Sequence, residues 1–236
     1  MRRPALHTSP QELVVRFVRT AEFETSGLAE SARETFAPEE RASLARQRAG
    51  TARRDYLVAH ALMRVVVAER AGCDPAELKF RASPRGRPEP VWPPSASDYR
   101  LSISHGDGVA LCGVAKGCDI GVDVESLRNV GPDPLTLAET YCSTRERAQI
   151  RAALPVQRAE RFLEIWTLKE AIAKAMGLGL HLPFHDFTVR LPAEDRPPYV
   201  TFLPGVAGED HEWDLVSVHP TPEHVAGVAI AVGSGE

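Results

Sequence analysis

Gly121-Val-Asp-Val-Glu125 and Trp166-Thr-Leu-Lys-Glu-Ala-Ile-Ala-Lys-Ala175 decide the reading of this chain. In the first, Asp123 and Glu125 stand two residues apart in an otherwise apolar run. On a strand that spacing sends both carboxylates to one face and Val122 and Val124 to the other. In the second, Glu170 and Lys174 are one helical turn apart, and Lys169 falls in the middle of an apolar stripe of Phe162, Ile165, Trp166, Ile172, Ala173 and Met176. Three carboxylates and two ammonium groups are what a protein needs to hold a hard divalent cation against a pyrophosphate. Magnesium suits such a set, because it takes one or two carboxylates and completes its shell with phosphate oxygens and water.

Each segment also has a plainer reading. A strand with a polar face is half exposed in many sheets, although two adjacent carboxylates repel unless a cation or base lies between them. Lys169 either snorkels to the edge of its stripe or pairs with a buried anion. Glu170 and Lys174, glutamate first, make a favourable surface pair worth about 0.2–0.5 kcal/mol. Glu146 closes a capping box, Ser143-Thr-Arg-Glu146, that opens a helix. No His/Cys cluster has the spacing of a tetrahedral zinc site. Ser102-Ile-Ser104-His105-Gly106 ends a strand at a turn without the elbow of a serine hydrolase.

Outward from these segments, the chain has 236 residues, 43% of them hydrophobic, enough for one sizeable core or two small lobes. A net charge of −4 sets up no field for nucleic acid or an anionic membrane. Two of the four lysines lie in the 166–175 segment. Cys73, Cys112, Cys118 and Cys142 have no paired spacing and read as buried free thiols in a reducing compartment. No signal core or membrane-length apolar run is present, so a cytoplasmic protein is expected.

A strand is expected over 13–20, helices near 38–48 and 51–71, and no regular element within the Pro-rich stretch 83–90. Strands 101–104, 109–115 and 118–125 then form a meander. The second half repeats the plan with a helix over about 156–176, stopped by Gly177, and strands near 186–191, 199–203, 213–218 and 224–232. The run 225–232 echoes 109–115. The expected fold is α+β: two similar lobes, each a helix on a small antiparallel sheet, divided as residues 1–117 and 118–236.

In order, Arg53-Arg-Asp-Tyr-Leu-Val-Ala-His-Ala-Leu-Met-Arg64, Gly86-Arg-Pro88, Leu101-Ser-Ile-Ser-His-Gly106, Gly121-Val-Asp-Val-Glu125 and Trp166-Thr-Leu-Lys-Glu-Ala171 through Leu180 resemble the 4′-phosphopantetheinyl transferase family, in its longer, single-chain, Sfp-type branch. The resemblance covers roughly 40–190. It implies two lobes related by pseudo-twofold symmetry, coenzyme A in the cleft between them, and a monomer. It implies Mg²⁺ on Asp123, Glu125 and Glu170, Lys174 on the phosphoryl group, and His105 on the diphosphate. Arg53 and Arg54 fall where the family grips the 3′-phosphate, Gly86, Arg87 and Pro88 where it flanks adenine, and Ser104 near a phosphate. Lys169 matches an active-site lysine, and Glu146 the position of a general base for the acceptor serine. The implied reaction moves phosphopantetheine from coenzyme A to a serine of an acyl, polyketide or peptidyl carrier protein and releases 3′,5′-ADP. A metal-dependent phosphohydrolase of coenzyme A and a binding module without chemistry are the competing classes.

Overall fold

The computed structural model describes residues 12–193 and 196–232. The first half runs β1 (Glu12–Arg19), α1 (Thr20–Thr25), α2 (Leu28–Glu34), α3 (Pro38–Arg46), α4 (Thr51–Ala71), β2 (Lys79–Ala82), β3 (Pro88–Trp92), α5 (Pro94–Ser97), β4 (Tyr99–Gly106) and β5 (Val109–Lys116). The second runs β6 (Asp119–Ser126), α6 (Pro134–Tyr141), α7 (Thr144–Ala152), α8 (Arg158–Ala175), β7 (Phe187–Arg190), β8 (Tyr199–Phe202), β9 (Glu212–Thr221) and β10 (His224–Val232).

The halves repeat one plan. Each opens on a strand, passes through short helices to one long helix, makes a two-stranded ribbon, and closes with a hairpin that pairs back onto the opening strand. The sheets have the same order, β1-β5-β4 and β6-β10-β9, antiparallel throughout. So β10 is the counterpart of β5, α8 of α4, and the expected two-lobed α+β fold is the observed one.

Three layers of apolar contact hold the plan together. Val58, Leu62, Met63 and Val66 of α4 pack on Leu101, Ala110, Cys112 and Val114 of the first sheet. Leu168, Ala171 and Ile172 of α8 pack on Leu215 and Ala229 and against Phe184, Phe187 and Val189. Between the lobes, alternate residues of β5 (Val109, Leu111, Ala115) meet those of β6 (Ile120, Val122, Val124) and β10 (Ala226, Val228, Ile230). Burying these layers supplies the hydrophobic drive at roughly 25 cal/mol per Å². Where β4 passes β6, side chains replace a backbone ladder: Val122 N donates to Ser102 Oγ (3.1 Å) and Val124 N to Ser104 Oγ (3.3 Å).

Several expectations are corrected. The Pro-rich stretch does enter a strand, because β3 begins at Pro88 and pairs with β2. A two-stranded ribbon offers only edge strands, which tolerate a missing N–H. The third strand of the expected meander leaves it, since β6 pairs with β10 and not with β5. Helix α8 is buried on almost every side, wedged between its sheet and the α6–α7 layer, and not on a single stripe. Of the thiols, Cys112 and Cys142 are buried but Cys73 and Cys118 only half so, and all four are free. Among the described residues, no helix is long and apolar enough to cross a membrane.

Candidate active site

Strand β6 turns Gly121, Asp123 and Glu125 toward α8. A Cβ on Gly121 would lie 1.8 Å from the Ala171 carbonyl oxygen and 2.5 Å from Ala175 N. Gly227, opposite Asp123 in β10, would bring a Cβ within 2.5 Å of the Thr167 carbonyl. Only a strand pair bare of side chains at these points lets the helix lie directly on it. That approach carries Glu170 and Lys174 to Asp123.

The Lys174 ammonium donates to Asp123 Oδ1 at 2.7 Å and to Ser104 Oγ at 3.1 Å, while Ser104 Oγ donates to the same Oδ1 at 2.8 Å. Asp123 is 4% exposed, and its Oδ2 is buried without a partner. Glu170 is pushed up to about 7 by burial first, then by the charges of Asp123 and Glu125, against the pull of Lys174. Glu125 is raised by burial and by Asp123, opposed by a hydrogen bond with Trp166 and by Lys174. Two glutamates that resist ionising, set beside an aspartate with an orphaned buried oxygen, are short of positive charge. A divalent cation fits that shortage, and hard oxygen donors fit magnesium. Among the described residues no three His, Cys, Asp or Glu side chains already converge as a metal cage; magnesium, bound largely through phosphate and water, does not require one.

Lys169 and Glu146 form a separate cluster, both 0% exposed. The ammonium donates to both carboxylate oxygens at 2.9 Å and to Phe187 O at 2.7 Å, and lies 4.0 Å from the Phe187 ring centroid. Glu146 also accepts from Ser143 N (2.7 Å) and Val189 N (2.6 Å), and Ser143 Oγ accepts from Glu146 N, which completes the capping box. Of the two alternatives for Lys169, the buried pair is the one observed. Burial lowers its pKa and Glu146 opposes that.

A cleft of about 1080 Å³ opens between the lobes, with Lys174, Gly86, Arg87 and Pro88 on its walls. Each nitrogen of the Arg87 guanidinium donates once, to Leu101 O, Ala175 O and Asp119 Oδ1. His105 lies beside Tyr56, 6.2 Å between ring centroids; burial lowers its pKa, Asp55 pulls it up, and His60 and Lys174 add to the lowering. Arg53 and Arg54 stand on the first turn of α4 and are not among the residues lining this cleft. Arg53 is exposed and Arg54 half-buried, with its Nε lacking a partner. The sequence reading missed Glu40, Tyr56 and His60, which do line the cleft. His60 stacks on Tyr56 at 4.1 Å and its Nδ1 is 3.2 Å from Glu40 Oε1. Their signal was the i, i+4 spacing of Tyr56 and His60 on α4, which reads equally well as core.

Fold and site together define a two-lobed α+β protein with a carboxylate–lysine cluster whose lysine, Lys174, lines the inter-lobe cleft. The family model of the 4′-phosphopantetheinyl transferase superfamily matches residues 119–231. A 4′-phosphopantetheinyl transferase of Bacillus subtilis is 32% identical over 135 residues, 57% of this chain and 57% of that protein. The 4′-phosphopantetheinyl transferase HetI of Nostoc is 28% identical over 179 residues, 76% of this chain and 71% of that protein. The match therefore spans little more than half the length of the Bacillus relative. A solved holo-(acyl-carrier-protein) synthase from Bacillus anthracis, in complex with CoA (3′,5′-ADP), aligns at 21% identity and a TM-score of 0.43, covering 49% of this chain and 96% of that one.

Proposed function

We propose that this protein is a Mg²⁺-dependent 4′-phosphopantetheinyl transferase that loads acyl, polyketide or peptidyl carrier proteins from coenzyme A, as a cytoplasmic monomer whose lobes divide at 117/118. The observation that carries the reading is the Lys174–Asp123–Ser104 cluster, with an unpaired Asp123 Oδ2 and two charge-starved glutamates, whose Lys174 lines a cleft large enough for a nucleotide. Similarity to named transferases supports the same class.

In this reading the acceptor serine Oγ bonds to the β-phosphorus of coenzyme A. The bond from that phosphorus to the bridging oxygen breaks, 3′,5′-ADP leaves with the electron pair, and the serine proton passes to solvent water. Asp123, Glu125 and Glu170 would hold Mg²⁺, which supplies charge neutralisation of the pyrophosphate when bound. Lys174 delivers its ammonium to the same oxygens, stabilising charge that grows in the transition state. Ser104 orients Lys174 and Asp123 through its hydroxyl, and His105, Gly86 and Pro88 contribute to the nucleotide side. Arg53 and Arg54 would reach the 3′-phosphate from the start of α4. For Glu146 the support favours the helix cap and ion pair. A general base must reach the proton it takes, and this carboxylate is fully buried with its oxygens engaged.

Intact-mass spectrometry of an apo carrier protein with this protein, coenzyme A and Mg²⁺ tests the reading. A gain of one phosphopantetheine, lost with EDTA and in Asp123→Ala, is the expected result. Coenzyme A consumed with no carrier modified would establish the hydrolase, and coenzyme A bound but unchanged across acyl, polyketide and peptidyl carriers the binding module.

A further inference from the structure

We infer that Arg87 is an inter-lobe clamp that positions Lys174, a role whose catalytic consequence rests on the transferase reading but whose geometry does not. Arg87 closes a tight turn between β2 and β3. Ser83 N donates to Arg87 O (2.8 Å), Gly86 N to Ser83 O (2.8 Å) and Arg87 N to Ser83 Oγ (3.0 Å), with Gly86 in the left-handed region at φ +85°. Three hydrogen bonds thus tie the turn before its arginine side chains engage anything.

From it the guanidinium reaches both lobes. Nε donates to Leu101 O of β4 at 3.2 Å, within its own lobe. Nη1 donates to Ala175 O, at the C-terminal end of α8, at 2.9 Å, and Nη2 to Asp119 Oδ1, the first residue of β6, at 3.2 Å. Arg85, two residues back, adds Nη1 to Gly177 O at 3.4 Å. Two cations from one turn therefore hold the C-terminal end of α8, where carbonyls lack partners and the helix dipole favours positive charge. Ala175 directly follows Lys174, so the clamped carbonyl is one residue from the ammonium that meets Asp123. The same turn and residues 177–181 line the cleft. Releasing the clamp therefore loosens a wall of the cleft and the seat of Lys174 together. Only a planar fork with donors on three sides satisfies all three acceptors; a lysine ammonium on a flexible stem cannot.

This differs from direct contact with the nucleotide, and the two are separable. Arg87→Ala, Arg87→Lys and Asp119→Asn would be compared by amide hydrogen exchange, by calorimetric affinity for coenzyme A and for dephospho-coenzyme A, and by the kcat and carrier KM of transfer. The clamp predicts that Arg87→Ala speeds exchange of the amides over 176–181 about tenfold or more. Affinities for the two nucleotides should fall by the same factor, and kcat should fall with carrier KM unchanged. Arg87→Lys recovers part of each effect, and Asp119→Asn shows a smaller change in the same direction. A loss confined to coenzyme A, with dephospho-coenzyme A and exchange unaltered, would make Arg87 a phosphate ligand and overturn the clamp. Wild-type exchange and affinity in all three variants would overturn it too. Should Arg87→Ala not fold, Arg87→Lys and Asp119→Asn decide by the same criteria. If the wild-type protein transfers nothing, exchange still decides the clamp, and the transferase reading fails by itself.

Discussion

Substituting Gly121 by alanine tests the link between backbone approach and the site. The new Cβ would stand 1.8 Å from the Ala171 carbonyl oxygen, whereas ordinary contact begins at 3.4 Å. Helix and strand must separate by roughly 1.6 Å, because the obstructing atoms are backbone and cannot rotate away. Overpacking of this kind costs about 1–3 kcal/mol where side chains can yield, and here about 3 kcal/mol or more is expected. With a urea m-value of about 2–3 kcal/mol per M, the unfolding midpoint falls by about 1–1.5 M. The same shift pulls Lys174 from Asp123, which lie 2.7 Å apart, so coenzyme A affinity should drop as well. Two glycines calibrate the result. A Cβ on Gly113 meets only the side-chain tips of Ile120 and Val122 at 2.7 Å, and one on Gly106 meets Val124 O at an ordinary 3.7 Å. The expected costs are about 1 kcal/mol for Gly113→Ala and within about 0.5 kcal/mol of zero for Gly106→Ala. A Gly121→Ala protein as stable as wild type, or more stable than Gly113→Ala, refutes the argument.

Lys169→Met strands the Glu146 carboxylate in the interior and should cost about 3–5 kcal/mol in chemical denaturation. Adding Glu146→Gln should recover most of it; a double variant no better than the single would count against a charge effect. Glu40 is held down to about 2 from 4.5: burial pushes it up, but hydrogen bonds from His60, Ala37 and Arg64 and the charge of Arg64 outweigh that. Its depressed pKa gives stability that is fully present above pH 4.5 and lost as pH falls toward 2, about 3 kcal/mol in all. The stability gap between wild type and Glu40→Gln should therefore shrink between pH 5 and pH 2.5, and a gap independent of pH would contradict this. Ser102→Ala leaves the Val122 N–H without its acceptor and should lower stability by about 1–2 kcal/mol; an unchanged urea midpoint would show that the seam at β4–β6 carries no weight.

The parts legible in the sequence were those set by local pattern. The run 225–232 echoed 109–115, and β10 and β5 do hold equivalent places. Alternation in 121–125 put both acids on one face, and Gly177, in the left-handed region at φ +64°, does end the long helix. What stayed hidden depended on distant partners. The Lys116-Gly117 turn reads as a hairpin, yet β6 takes its ladder from a strand a hundred residues on. Lys169 could not be resolved without knowing that Glu146 lies beneath it. Glu40 and His60, twenty residues apart, meet only because α3 folds back on α4. Prolines at 88 and 90 argued against a strand, since nothing local says that the ribbon has no interior position.

The separation of the two three-stranded sheets along the chain has a consequence for how this molecule could be taken apart. Every backbone ladder in the two three-stranded sheets closes within residues 12–116 or within 119–232. The only covalent link between those sets is the short turn at Gly117-Cys118. A chain cut there keeps each sheet and each long helix whole, and leaves the pieces sharing an apolar face, two serine hydroxyls and the grip of one arginine turn. Neither piece holds the cluster alone, because Ser104 is in the first while Asp123 and Lys174 are in the second. Co-expressed halves would act as a heterodimer, and any activity they recover would report directly on how tightly that seam closes.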